Sequence, residues 1–339
     1  MKDAKHAGAT RRAVLSAAVI VLLAQRIEAQ PTAAQILSEM HWSPADQSRV
    51  LAGEFVMNDV SAVTPRDLSV RMAFLVKLAP DELFRRVLAG DFIADPQVVS
   101  SGEFVGAGSL FDLTRLEISD NIARALVNVR PGSALNLSAA EIAAFNALRG
   151  ASTDAVQHQL RQMLLERYRA YRGAGLAGIA PYDRGDRTTD VSEELRAASD
   201  AARELKKYLP ELQQQLIAYP QPIVAALEQR FRWLQYSIDG ATTFVLMHEL
   251  GVPAGGARAL VQRQYYVSTG YNAEQAIAGL LPVEAGTIVV YTNNTFTDQI
   301  GGFGDALKRG IGRRVMSSKL KQIFDATRTQ IREQSVTTP

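Results

Sequence analysis

Four histidines, thirty-five carboxylates and no cysteine set the range of chemistry open to this 339-residue chain. Without a thiol, thiolate catalysis, iron–sulfur clusters and cysteine-ligated zinc are excluded. His6, His41, His158 and His248 are isolated from one another in sequence. His248-Glu249 begins like a zinc-protease helix motif, but Val252 stands where the second ligand would be needed, so no metal site is expected. No Gly-x-Ser-x-Gly elbow and no Gly-Lys-Ser/Thr phosphate loop occurs. Gly302-Phe303-Gly304 and Gly310-Ile311-Gly312 both lack the third glycine of a dinucleotide fingerprint, having Leu307 and Val315 there. No cofactor is therefore expected. The easy enzymatic route left is acid–base chemistry, with His248 and Glu249 as the candidates.

Side-chain alternation selects the ligand candidates. Along Thr242–Leu250, His248 shares a face with Phe244 and Leu246, and Glu249 shares the other with Val245 and Met247. One ionisable group must then sit among apolar neighbours, where burial shifts its pKa. The bland alternative is a satisfied core or rim residue. Arg263 is in phase with Val261, Tyr265 and Val267, so it either meets a ligand anion or pairs with a structural acid such as Glu249. Tyr291, with Thr287 and Val289, is expected to line the same space. The expected ligand-binding set is Phe244, Leu246, His248, Val261, Arg263, Tyr265, Val289 and Tyr291. Tyr168, Tyr171 and Tyr182 among Arg167, Arg169, Arg172 and Arg184 either grip an anionic lipid or glycan or simply pack a helix end.

The elements that must hold these residues are read from periodicity. Residues 30–50 read as a polar lead-in. Leu68–Lys77 alternates with period two, as a strand does. Pro80, Asp81 and Glu82 open a short helix that Gly90 stops. Residues 98–118 read as two strands around Gly106 and Gly108. From 120 to 228 the period is helical, with a capping box at Ser138/Glu141, a loop at 173–189, and a second box at Asp190/Glu193 starting a helix through Leu205. Asp239-Gly240 between two β-rich runs predicts a hairpin of Phe231–Ile238 with Thr242–Leu250. Arg258–Ser268 and Thr287–Phe296 read as strands, and Asp298 to Arg328 as a long amphipathic helix. Strands segregated from helices give an α+β fold.

The first 29 residues read as a cleavable export signal: Lys2, Lys5, Arg11 and Arg12, a twelve-residue apolar run from Ala13 to Ala24, and Ile27-Glu28-Ala29 before Gln30. That run is too short to span a bilayer. Thr10–Leu15 fits a twin-arginine signal and also a general secretory one. Removing the leader takes five basic and two acidic residues from totals of 37 and 35, leaving 32 basic against 33 acidic and a net charge of −1. Nucleic acid is not an expected partner. A periplasmic location follows from this reading.

Leu68–Leu88, with its Ala79-Pro80-Asp81-Glu82 step, and Thr287–Arg328 resemble the START-like or helix-grip superfamily of hydrophobic-ligand carriers. The resemblance implies a curved antiparallel sheet packed by the long C-terminal helix, built from 30–119 and 229–335, with 120–228 as a large all-helical insertion. It also implies a cavity between sheet and terminal helix for an apolar small molecule or lipid, and no enzymatic activity is assigned. The alternatives are a hydrolase or isomerase using His248 or Glu249 in that cavity, and a non-catalytic envelope interaction protein using the helical block. Lys308, Arg309, Arg313, Arg314, Lys319 and Lys321 give the last helix either a solvated face or a surface for an anionic membrane.

Overall fold

The computed structural model describes residues 31–58, 60–90, 95–238 and 241–298, together with Ser318, Lys321, Gln322 and Asp325. The expected leader lies outside the described residues. So does most of the expected C-terminal helix, although Ser318, Lys321, Gln322 and Asp325 are helical and exposed.

Thr32 accepts from the Gln35 amide and Gln35 reciprocates, a capping box that starts α1 (Ala33–Glu39). Ser43 caps α2 (Pro44–Leu51), with proline in its first turn. Both correct the expected polar lead-in. Leu37 and Val50 of these helices, with Met40 and Trp42 of the link between them, are buried against the sheet, which short helices of mixed composition do not advertise. β1 (Val56–Asn58) pairs with β2 (Asp67–Val76), and α3 (Pro80–Ala89) follows, closed by Gly90 at φ 81°. β3 (Val98–Glu103) is a single strand. The second strand expected before residue 118 is replaced by a turn at Gly108 and one 3₁₀ turn over Leu110–Leu113.

The helical block comprises α4 (Asp120–Val127), α5 (Ala139–Asn146) and α6 (Thr153–Ala174), then the small hairpin β4 (Tyr182–Asp183) and β5 (Thr188–Thr189). It continues with α7 (Val191–Ala201), α8 (Arg203–Tyr208) and α9 (Pro210–Ala218). The Ser138/Glu141 box is present, whereas Asp190 caps α7 through the Ser192 amide. The helix expected through Leu205 breaks at Ala202.

β6 (Glu228–Ile238) and β7 (Ala241–Ala254) form the expected hairpin, with Ile238 opposite Ala241. β8 (Ala257–Val267), β9 (Ala273–Val283) and β10 (Gly286–Phe296) complete an antiparallel sheet of eight described strands in the order β1-β2-β10-β9-β8-β7-β6-β3. β9 was not expected: its alanines and glycine carry little strand preference. Among the described residues, the fold is thus α+β, with a large antiparallel sheet and several helices. The helical block is not set apart, since Phe145, Leu160 and Tyr171 share one core with Phe231, Leu246 and Tyr265 of the sheet. The described residues from Thr32 to Asp298 fall in one compact unit. No described helix is long and apolar enough to cross a membrane.

Candidate functional site

Register divides the expected ligand set between two faces of the sheet. Phe231 lies opposite His248, and His248 opposite Arg263, so Phe244, Leu246, His248, Val261 and Arg263 share one face. A bulge between Leu246 and Met247 adds Tyr265 to that face beside Tyr266. The same bulge sends Val267 to the other side with Val245 and Met247, correcting the phase expected from simple alternation. Val289 lies opposite Phe74 and Leu280, among residues packed by α3. Tyr291 follows it two residues on. The eight residues therefore do not line one space.

The face holding six of them is packed shut by the helical block. Phe244 is 4% exposed, Val261 and Tyr265 are 1%, and Leu246, His248 and Arg263 are 0%. Arg263 donates to the Gln275 side-chain oxygen (2.8 and 3.1 Å), the Ser199 hydroxyl (3.0 Å), the Leu216 carbonyl (2.8 Å) and the Tyr171 hydroxyl (3.4 Å). Its partners are neutral, and the expected pairing with Glu249 fails because the two residues lie on opposite faces.

Tyr171 Oη stands 3.1 Å from His248 Nδ1, and His248 Nε2 stands 3.2 Å from the Gln229 side-chain oxygen. A chain of donors running Arg263, Tyr171, His248, Gln229 satisfies every one of these contacts with a neutral imidazole. Burial, then the Arg263 charge, hold the His248 pKa well below its usual value. With both ring nitrogens engaged, His248 has no lone pair to offer a substrate. Of the arginine–tyrosine cluster, Arg167, Tyr168, Tyr171 and Tyr182 are internal, Arg184 is half-buried, and Arg169 and Arg172 are exposed. Arg167 makes a two-pronged pair with Glu141 (2.6 and 2.7 Å) and lies 4.3 Å over the Tyr266 ring. Arg169 is spent on the carbonyls of Ala107 and Gly108.

The opposite face differs. Among the described residues, the helix with core contacts on it is α3, whose Leu83, Phe84 and Leu88 cover Val76, Leu260, Leu280 and Val289. Beyond α3 the face carries polar side chains in the middle of apolar strands. Glu274 accepts from Gln264 (3.1 Å) and Thr295 (3.2 Å). Thr295 donates to Asn293 (2.8 Å), and Asn293 donates to the Tyr291 hydroxyl (3.1 Å). Tyr271 donates to Gln264. Glu249 pairs with Arg232 (2.8 Å) and accepts from Gln262 (2.9 Å). Arg232 also donates to the Leu88 carbonyl, tying α3 to β6.

Burial, the largest influence on each, raises the pKa of Glu274, Glu249, Tyr271 and Tyr291. Glu274, Tyr291, Gln262 and Arg232 are half-buried, unlike the sealed residues across the sheet. Around these four, Met72, Ala276 and Val289 are buried, so the patch offers a polar group its hydrogen-bond partners at the half-buried positions. The in-phase series Val289, Tyr291, Asn293, Thr295 was available in the sequence. Glu274 and Gln264 could not be joined to it without β9. Among the described residues no cluster of potential metal ligands occurs.

No protein-family model matches the sequence, and no curated protein does. Among solved structures, the crystal structure of Ara h 8.0201 is similar over 41% of this chain and 89% of its own length, at 14% identity and a TM-score of 0.22. A likeness at that level is weak and carries no argument about function.

Proposed function

We propose that this is an exported, periplasmic protein of the helix-grip type. It binds a hydrophobic or amphipathic, lipid-like ligand between the α3-bearing face of the sheet and the amphipathic segment 298–328. The single observation carrying the reading is the hydrogen-bonded polar cluster of half-buried Glu274 and Tyr291 with buried Asn293 and Gln264, on a face whose described helical cover stops at α3. The strand order supports it: the first long strand lies beside the last, and the intervening strands return in sequence to β6 and β3. The ligand's apolar part would lie on Met72, Ala276 and Val289, and its polar end against the Tyr291 hydroxyl and Glu274. Tyr291, kept protonated by burial, is a donor there.

Native mass spectrometry of the purified full chain, with solvent extraction, tests this. A stoichiometric apolar adduct is expected, reduced in Ala276→Leu, which fills the centre of the face. A clean apo mass with no uptake from a mixed lipid extract overturns the proposal.

A further inference from the structure

At the end of the sheet where the β4–β5 hairpin meets the β8–β9 turn and the end of β10, four segments enclose an open pocket of about 320 Å³. That is the lower end of the range small-molecule sites occupy. Its walls are short because Gly132, Ala134 and Gly270 stand there; a Cβ built on Gly270 would meet open space. The charged groups of the lining are two guanidiniums, Arg184 and Arg187, against one carboxylate, Asp298.

Arg184 is held from two sides. Its Nε donates to Asp298 (2.9 Å) and Thr189 (3.3 Å), and its Nη2 donates to the side-chain oxygens of Asn136 (2.7 Å) and Asn272 (3.1 Å). Asn136 is itself fixed by donating to the Val267 and Tyr271 carbonyls, each at 2.7 Å. This leaves Nη1 of Arg184 without a hydrogen-bond partner among the described residues, on a side chain only 10% exposed. Arg187, 57% exposed, makes one ion pair among the described residues, a loose 3.6 Å contact with the adjacent Asp186. A guanidinium fixed on one edge and open on the other is pre-organised for an oxyanion, since little rotamer freedom remains to be lost on binding.

We propose that this pocket binds a small molecule through an oxyanion group, a phosphate or a carboxylate, seated against Nη1 of Arg184 and the guanidinium of Arg187. The site adjoins the proposed ligand face at Tyr271, which lines the pocket and donates to Gln264, but does not depend on that reading.

Amide NMR of the full chain, titrated separately with inorganic phosphate, citrate and neutral glucose, tests it. The expected result is saturable shifts at Gly132 and Gly270 with phosphate, citrate or both, and none with glucose; which anion wins distinguishes the two chemistries. Arg187→Gln should weaken binding about tenfold, and Ala134→Phe, which fills the mouth without altering charge, should abolish it. Arg187 is mostly exposed, so its variant keeps the test decisive even if Ala134→Phe disturbs folding. No saturable shift with either anion, equal response to glucose, or unchanged affinity in Arg187→Gln overturns the proposal.

Discussion

Arg263 and Glu274 are both polar groups set into apolar strands, and their surroundings separate their roles. Arg263 is wholly buried and its hydrogen bonds all end on protein acceptors. Arg263→Met should therefore destabilise the protein by about 2–4 kcal/mol, through the orphaned Gln275, Ser199 and Leu216 groups, while leaving ligand retention unchanged; urea unfolding beside native mass spectrometry reads both. Glu274→Gln should do the reverse, shifting stability by no more than about 1 kcal/mol and weakening retention.

Glu194 supplies a pH signature. Its side chain is 2% exposed and lies 2.8 Å from Arg66, yet burial outweighs that charge and pushes its pKa up to about 7. The folded state then holds a proton that the unfolded chain releases above about pH 4.5. The stability this contributes is present at low pH and is lost as pH rises towards 7, up to about 3 kcal/mol. Glu194→Gln removes that slope. Melting temperatures of the two proteins should diverge in favour of the variant from about pH 5 and run parallel above about pH 8. A constant difference across that range would show that Glu194 does not titrate there.

At the scale of elements, α3 reaches the sheet because β7 has no side chain at Gly251. A Cβ there would lie 2.6 Å from the Phe84 ring. Gly251→Ala should cost about 1–3 kcal/mol, and Phe84→Leu in the same chain should recover part of it, as coupled neighbours do. Additive losses would mean that α3 is positioned by other contacts.

Elements with strong local signals were legible in the sequence. The Leu68–Lys77 alternation, the Pro80-Asp81-Glu82 start, the Ser138/Glu141 box and the Asp239-Gly240 turn each correspond to an observed element or boundary. Those lacking such signals were not. β9 is rich in alanine, and α1 and α2 are too short to show a full apolar stripe. The break between α7 and α8 at Ala202 has no proline or glycine to announce it.

Over the whole molecule, alternation assigns residues to the two faces of each strand but cannot say which faces of different strands coincide. That depends on register, and here on a bulge in β8 that turns two consecutive tyrosines to one side. The sequence consequently joined Tyr291 to His248 and Arg263, although the sheet separates them. It also gave no sign that residues 120–228 would pack their core onto the face chosen for the ligand. Both errors are non-local, and neither changes the α+β class.

The central claim is that the ligand lies on the α3-bearing face, and labelling with a diazirine-bearing palmitic acid followed by residue-level mass spectrometry tests it most directly. The account predicts saturable adducts, displaced by unlabelled palmitic acid, on Met72, Gln262, Ala276 or Tyr291, all from one face. Adducts on Tyr171, Leu216 or Phe231 beneath the helical block, or no competable adduct at all, would contradict it.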